Sequence, residues 1–243
     1  MPRCGGPADA GSARGAAALS RLAADARGAR GGACLGRCVQ SDRATAWRIA
    51  DPHRRHSNTE GYHGNGIVAS LPTQVPIVIR LDEEADWYTP PDRQRRIGNR
   101  MAIAANIGRF VACSVHLENR TDGAGRARQM ETLLDALDAY ADGALPVVIG
   151  GDLNTHVGPG GYRDASEPLF ALAASRGYDW AACNLAQPTT RASTWSTSEG
   201  TRQLDWFCTR GLSVRDPTVV PALGEDGTVL SDHELILLTL DMG

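Results

Sequence analysis

The side chains that could do chemistry in this chain are carboxylates, amides and imidazoles set beside apolar, strand-like runs. Gly150-Gly151-Asp152-Leu153-Asn154 directly follows the apolar run 146–149. In an extended backbone alternate side chains share a face, so Asp152 and Asn154 point the same way. A carboxylate and an amide oxygen side by side suit a hard divalent cation and an adjacent phosphate. The same residues also make ordinary turns, which Gly, Asp and Asn all favour. Ser231-Asp232-His233 stands just before the run 235–240. There a carboxylate next to an imidazole either joins metal ligation to general-base duty or simply caps the strand. In Leu204-Asp205-Trp206-Phe207 a single acid sits among apolar neighbours. It faces solvent by alternation or is buried against a partner, for which a histidine is the natural choice. Val115-His116-Leu117 ends another strand-like run, so His116 is either a surface or core residue or a catalytic one.

The elements that must position these groups are legible from periodicity. Strands are expected over 67–70, 77–81, 101–107, 110–116, 146–150, 204–208 and 235–240, each bounded by turn residues. Residues 126–141 form the clearest helix. Met130, Leu133, Leu134, Leu137 and Tyr140 recur at the three-and-four spacing of one buried face. A shorter helix is expected over 168–175, with Ser166 as its N-cap and Gly177 just past its end. Many short strands with few helices point to stacked sheets flanked by helices.

Composition narrows the classes further. The 243 residues are enough for one large domain, and no run approaches the length of a membrane span. Formal net charge is −3, so no whole-protein basic field draws in nucleic acid, and a nucleic-acid substrate would need a local patch. Arg93, Arg95, Arg96 and Arg100 either line such a groove or form a solvated loop. The basic side chains are all arginines, with no lysine. Six cysteines lack the density of a disulfide scaffold, and a reducing, cytoplasmic setting suits them. Residues 1–60 are an atypical Ala/Arg/Gly-rich segment, expected to be poorly ordered, while 61–243 alternate in a globular way.

Taken in order, His-Leu, Gly-Asp-Leu-Asn, Leu-Asp-Trp and Ser-Asp-His resemble the endonuclease/exonuclease/phosphatase superfamily, the group of deoxyribonuclease I and exonuclease III. His63-Gly64-Asn65-Gly66-Ile67 looks like the family's Gly-Asn segment, and the helix carrying Gln129 falls between the first two motifs, as in the family. The resemblance implies a four-layer α/β/β/α sandwich of two packed mixed sheets, and metal-dependent hydrolysis of phosphoester bonds. It implies Mg²⁺ or Mn²⁺ as cofactor and a nucleic acid or small phosphorylated molecule as substrate. By the same resemblance Asp152 and Asn154 hold phosphate and metal, Asp232 ligates metal, and His233 paired with Asp205 is the base toward water. His116 donates to a phosphate oxygen or the leaving group. The chain departs from the family early. No Leu-Gln-Glu strand end is found, the nearest match places Arg37 where the metal-binding glutamate belongs, and the family's first strand is missing. Glu60 is the only early glutamate. Two expectations therefore stand side by side: a working hydrolase, or an impaired, phosphate-binding relative.

Overall fold

The protein is described by a computed structural model over residues 65–81, 100–192 and 202–241. Five strands form one mixed sheet: β1 (Gln74–Arg80), β2 (Met101–Asn106), β3 (Val111–His116), β4 (Val147–Asp152) and β5 (Asp205–Arg210), in the order β1-β2-β3-β4-β5. Only β3 and β4 run parallel, and the other neighbours are antiparallel. A parallel pair needs a crossover, which is supplied by α1 (Gly123–Ala141). The helix starts three residues earlier than periodicity alone implies, because the Asp122 carboxylate accepts from Gly125 N at 2.8 Å and caps it. It ends where Asp142 and Gly143 turn left-handed, at φ of 49° and 64°.

The expected stripe on α1 is the buried one. Met130, Leu133, Leu134 and Leu137 are fully buried, and such side chains contribute about 1.5–3 kcal/mol each. They pack into one core with Val111, Cys113, Val147 and Ile149 of the sheet, and with Leu169, Phe170 and Ala173 of α2 (Pro168–Ser175). Phe170 lies edge-on to both Trp180 and Trp206, with centroids 4.9 and 4.8 Å away. Both helices thus share one core with the sheet.

A second sheet pairs β6 (Ser213–Val220) with β7 (Leu235–Asp241) antiparallel. The fold class is the expected one, α/β with two sheets. Three local readings change. The run 67–70 is reduced to a single bridge at Ile67, with Val68 62% exposed, because Ser70-Leu71-Pro72 breaks the ladder at once. Glu167, not Ser166, precedes α2 as its N-cap residue, with Pro168 supplying the pre-set φ of the first helical position. Strand β6 was absent from the sequence reading. Its pairing shifts between Arg215 and Thr218, across Asp216 at φ 53° and Pro217, which has no N–H to donate.

Candidate active site

Strand register sets the site. His116 ends β3 opposite Asp152 at the end of β4, and Asp152 stands opposite Asp205 at the start of β5. Residues directly across a ladder share a face, so three adjacent strands present imidazole, carboxylate and carboxylate in one row. His116 Nε2 lies 3.4 Å from Asp152 Oδ2. Two glycines let the strands close up beneath that row. A Cβ on Gly151 would stand 1.8 Å from Val115 O, and one on Gly150 would stand 2.3 Å from the Phe207 ring.

The Gly-Asp-Leu-Asn stretch is a turn and a polar cluster at once. Asn154 N donates to Asp152 Oδ1 at 2.8 Å, and Asn154 adopts φ 49°, which asparagine tolerates better than most residues. Its Nδ2 donates to Leu117 O at 2.9 Å, so the side-chain amide is tied to the segment just after His116.

His233 arrives from the other sheet's approach. Its Nδ1 is 2.8 Å from Asp205 Oδ2. The carboxylate can only accept, so Nδ1 carries the proton and Nε2 is the nitrogen left to exchange one. Ser231 Oγ accepts from His233 N at 3.0 Å, and Asp232 O accepts from Arg191 N at 2.9 Å. The hydrogen bond to Asp205 is the main cause that lifts His233 to a pKa of about 9, and the charges of Asp205, Asp152 and Asp232 add to it. Burial, then repulsion from Asp205, push Asp152 up to about 6. Five of the residues singled out from sequence lie in this one sheet-end region: His116 by Asp152, Asp205 by His233, and Asn154 by the His116 segment, with Asp232 next to His233 in the chain.

Other readings are corrected. Arg100 does not line a groove. Its side chain is 6% exposed, 3.5 Å from the buried Glu118, and its charge lowers the pKa of Asp152. Arg93, Arg95, Arg96, Arg37 and Glu60 lie outside the described residues. Thr189, which bonds Asp205, was missed, because a threonine in a polar loop carries no pattern. Cys113, Cys183 and Cys208 are free and buried, and burial pushes Cys183 up to about 11, which leaves its thiol unreactive.

Asp152 offers the donor chemistry of a cation site. It is a half-buried carboxylate held against a second one, which is costly unless positive charge arrives. Among the described residues no three His, Cys, Asp or Glu side chains surround one point. Closed cages of that kind suit Zn²⁺, whereas Mg²⁺ keeps several waters and takes one or two carboxylates. The oxygen donors present fit the second case.

One stability effect follows from the same electrostatics. Asp152→Asn should stabilise the cation-free protein by about 1–3 kcal/mol at pH 8, because it removes an ionised carboxyl whose folded pKa is raised. The sign is set by the direction of that shift. The penalty is fully present above a pH of about 6 and vanishes below the ordinary value of 3.8, where both states are protonated. Urea unfolding at pH 8 and at low pH checks it, and a destabilised variant at pH 8 would contradict it.

The end of the mixed sheet thus gathers carboxylates and imidazoles from three adjacent strands and from the approach to β7. The family model described as "Endonuclease/Exonuclease/phosphatase family" matches residues 13–233. The chain belongs to the endonuclease/exonuclease/phosphatase family. The match also takes in most of the Ala/Arg/Gly-rich segment that composition set apart. No curated protein matches the chain by sequence. Among solved structures, it resembles an endonuclease/exonuclease/phosphatase from Beutenbergia cavernae at 18% identity and TM-score 0.53, over 82% of this chain and 53% of that one. It also resembles a functionally unknown conserved protein from Enterococcus faecalis, at 16% identity and TM-score 0.51, covering 71% and 67%. A third, the endonuclease/exonuclease/phosphatase from Bacteroides vulgatus, gives 18% identity and TM-score 0.50, covering 71% and 66%. The chain thus spans between 53% and 67% of these structures' own lengths, and the likeness is one of fold. Among the described residues no helix is long and apolar enough to cross a membrane.

Proposed function

We propose that the chain hydrolyses phosphoester bonds of a nucleic acid or a small phosphorylated molecule, with water as the attacking group and Mg²⁺ or Mn²⁺ as cofactor. The observation that carries this reading is the 2.8 Å bond between His233 Nδ1 and Asp205 Oδ2, beside the His116–Asp152 contact in the same row of strand ends. Asp205 orients the imidazole and stabilises its protonated form, and Nε2 of neutral His233 removes a proton from water. His116 donates a hydrogen bond to a non-bridging oxygen or to the departing oxygen. Asn154, its amide nitrogen tied to Leu117 O, keeps its side-chain oxygen as an acceptor that would serve the cation beside the phosphate. Asp152, Asn154 and Asp232 would hold the cation, which supplies charge neutralisation on the phosphoryl oxygens as negative charge builds there.

The testing experiment is hydrolysis of a generic phosphodiester by the purified chain with Mg²⁺ or Mn²⁺, and then with EDTA. Turnover that appears with the cation and is abolished by EDTA is expected. Turnover that EDTA leaves unchanged overturns the cofactor assignment. A second reading, a phosphate-binding relative with impaired turnover, is favoured by Arg37 standing at the nearest sequence match to the family's early metal-binding glutamate. Under that reading, inorganic phosphate binds while no cation restores hydrolysis. The reducing, cytoplasmic setting proposed for the chain rests on its sparse cysteines.

A further inference from the structure

Resting on the reading of Asp205–His233 as the water-activating pair, we propose that Thr189 is its positioning residue: the Thr189 hydroxyl fixes the carboxylate oxygen that holds the imidazole. Thr189 is 1% exposed, and its Oγ1 makes three short contacts. Leu204 N and Asp205 N both donate to it at 3.0 Å, and it lies 2.8 Å from Asp205 Oδ2. A hydroxyl has one proton and two lone pairs. The two backbone N–H groups occupy the lone pairs, so the proton has one place left to go, which is Asp205 Oδ2. That is the same oxygen that His233 Nδ1 reaches at 2.8 Å. Asp205 would otherwise turn about its last torsion, which is soft for carboxylates. The hydroxyl stops that rotation.

The backbone around Thr189 reinforces the same alignment. Thr189 N donates to Arg202 O at 2.9 Å, on the approach to β5. On its other side Thr189 O accepts from Glu234 N at 2.8 Å, and Thr190 pairs with His233 in an isolated bridge. Arg191 adds a bond from its N to Asp232 O at 2.9 Å and an ion pair with Glu234. One short segment therefore stands between two residues that are 28 apart in sequence, and it touches both. The carboxylate cannot turn without breaking its bond to Thr189, and the backbone that carries His233 is held by residues 189–191.

The test compares Thr189→Val and Thr189→Ser with the unaltered chain in two measurements. The first is turnover of the generic phosphodiester with Mg²⁺. The second is the downfield NMR resonance of the His233 Nδ1–H proton bound to Asp205, assigned by its disappearance in His233→Gln. Thr189→Val should lower kcat on the order of 10–100-fold with KM little changed, as loss of an orienting partner does. The resonance should shift or broaden. Thr189→Ser keeps the hydroxyl and should keep both signals close to those of the unaltered chain. If Thr189→Val does not fold, Thr189→Ala, which leaves room for a water, is read in its place. An unmoved resonance with unchanged kcat overturns the proposal, and so does equal damage in the valine and serine variants. A resonance that responds as expected in a chain with no turnover supports the Thr189 assignment while the water-activation reading fails.

Discussion

His233→Ala will lower kcat for phosphodiester hydrolysis by on the order of 10²–10⁴, with KM little changed, because it removes the proposed general base and not a binding contact. The imidazole stands on Asp205 at 2.8 Å. The pH profile separates this loss from a general disturbance. Hydrogen bonding to Asp205 raises His233 to a pKa of about 9, so the neutral, proton-accepting form is scarce at neutral pH and grows as pH rises. Rates in the unaltered chain should therefore climb with pH toward that value. A cation beside Asp152 and Asp232 moves the climb to lower pH by favouring the neutral ring. His233→Ala should lose the climb altogether. A variant with an unchanged rate and an unchanged profile would remove His233 from the mechanism.

Arg126→Ala will destabilise the fold by about 3–5 kcal/mol, the cost of leaving a buried charge unpaired. Arg126 and Glu167 are each 1% exposed. The guanidinium grips the carboxylate with both Nε and a terminal nitrogen, and donates to Thr121 O at 2.7 Å. Glu167 Oε1 also accepts from His156 N at 2.9 Å, so the pair fastens α1, the approach to α2 and the chain just beyond Asn154. Losing it should loosen the Gly-Asp-Leu-Asn turn as well as the core. Replacing both partners by apolar side chains of similar volume should recover most of the stability, since no charge is then stranded. Urea unfolding measures both variants. A single-variant loss below about 1 kcal/mol would contradict the burial of this pair.

Periodic apolar spacing made α1, β2, β3 and β4 legible in the sequence, because each buries one face and the burial rule is local. The site was legible for a related reason. Short polar side chains stood at the ends of apolar runs, where sheet edges must place them. What escaped was non-local or irregular. Strand β6 carries Asp216 and Pro217 in its middle, and a proline within a run argues against a strand unless a bulge absorbs it. The Arg126–Glu167 pair joins residues 41 apart with no repeating signal. Arg100 read as a surface cation because its partner Glu118 comes from another strand's end. Thr189 was invisible because its significance lies in which atoms surround one hydroxyl, and no spacing encodes that.

The most direct test of the central claim, that this strand-end cluster uses His233 to drive water onto phosphorus, is hydrolysis of a phosphodiester in ¹⁸O-labelled water with Mg²⁺, followed by ³¹P NMR. The account predicts one solvent ¹⁸O in the phosphomonoester product of the unaltered chain, and a strongly reduced yield of that product from His233→Ala. Label found in the released alcohol, or an undiminished labelled product from His233→Ala, would contradict it.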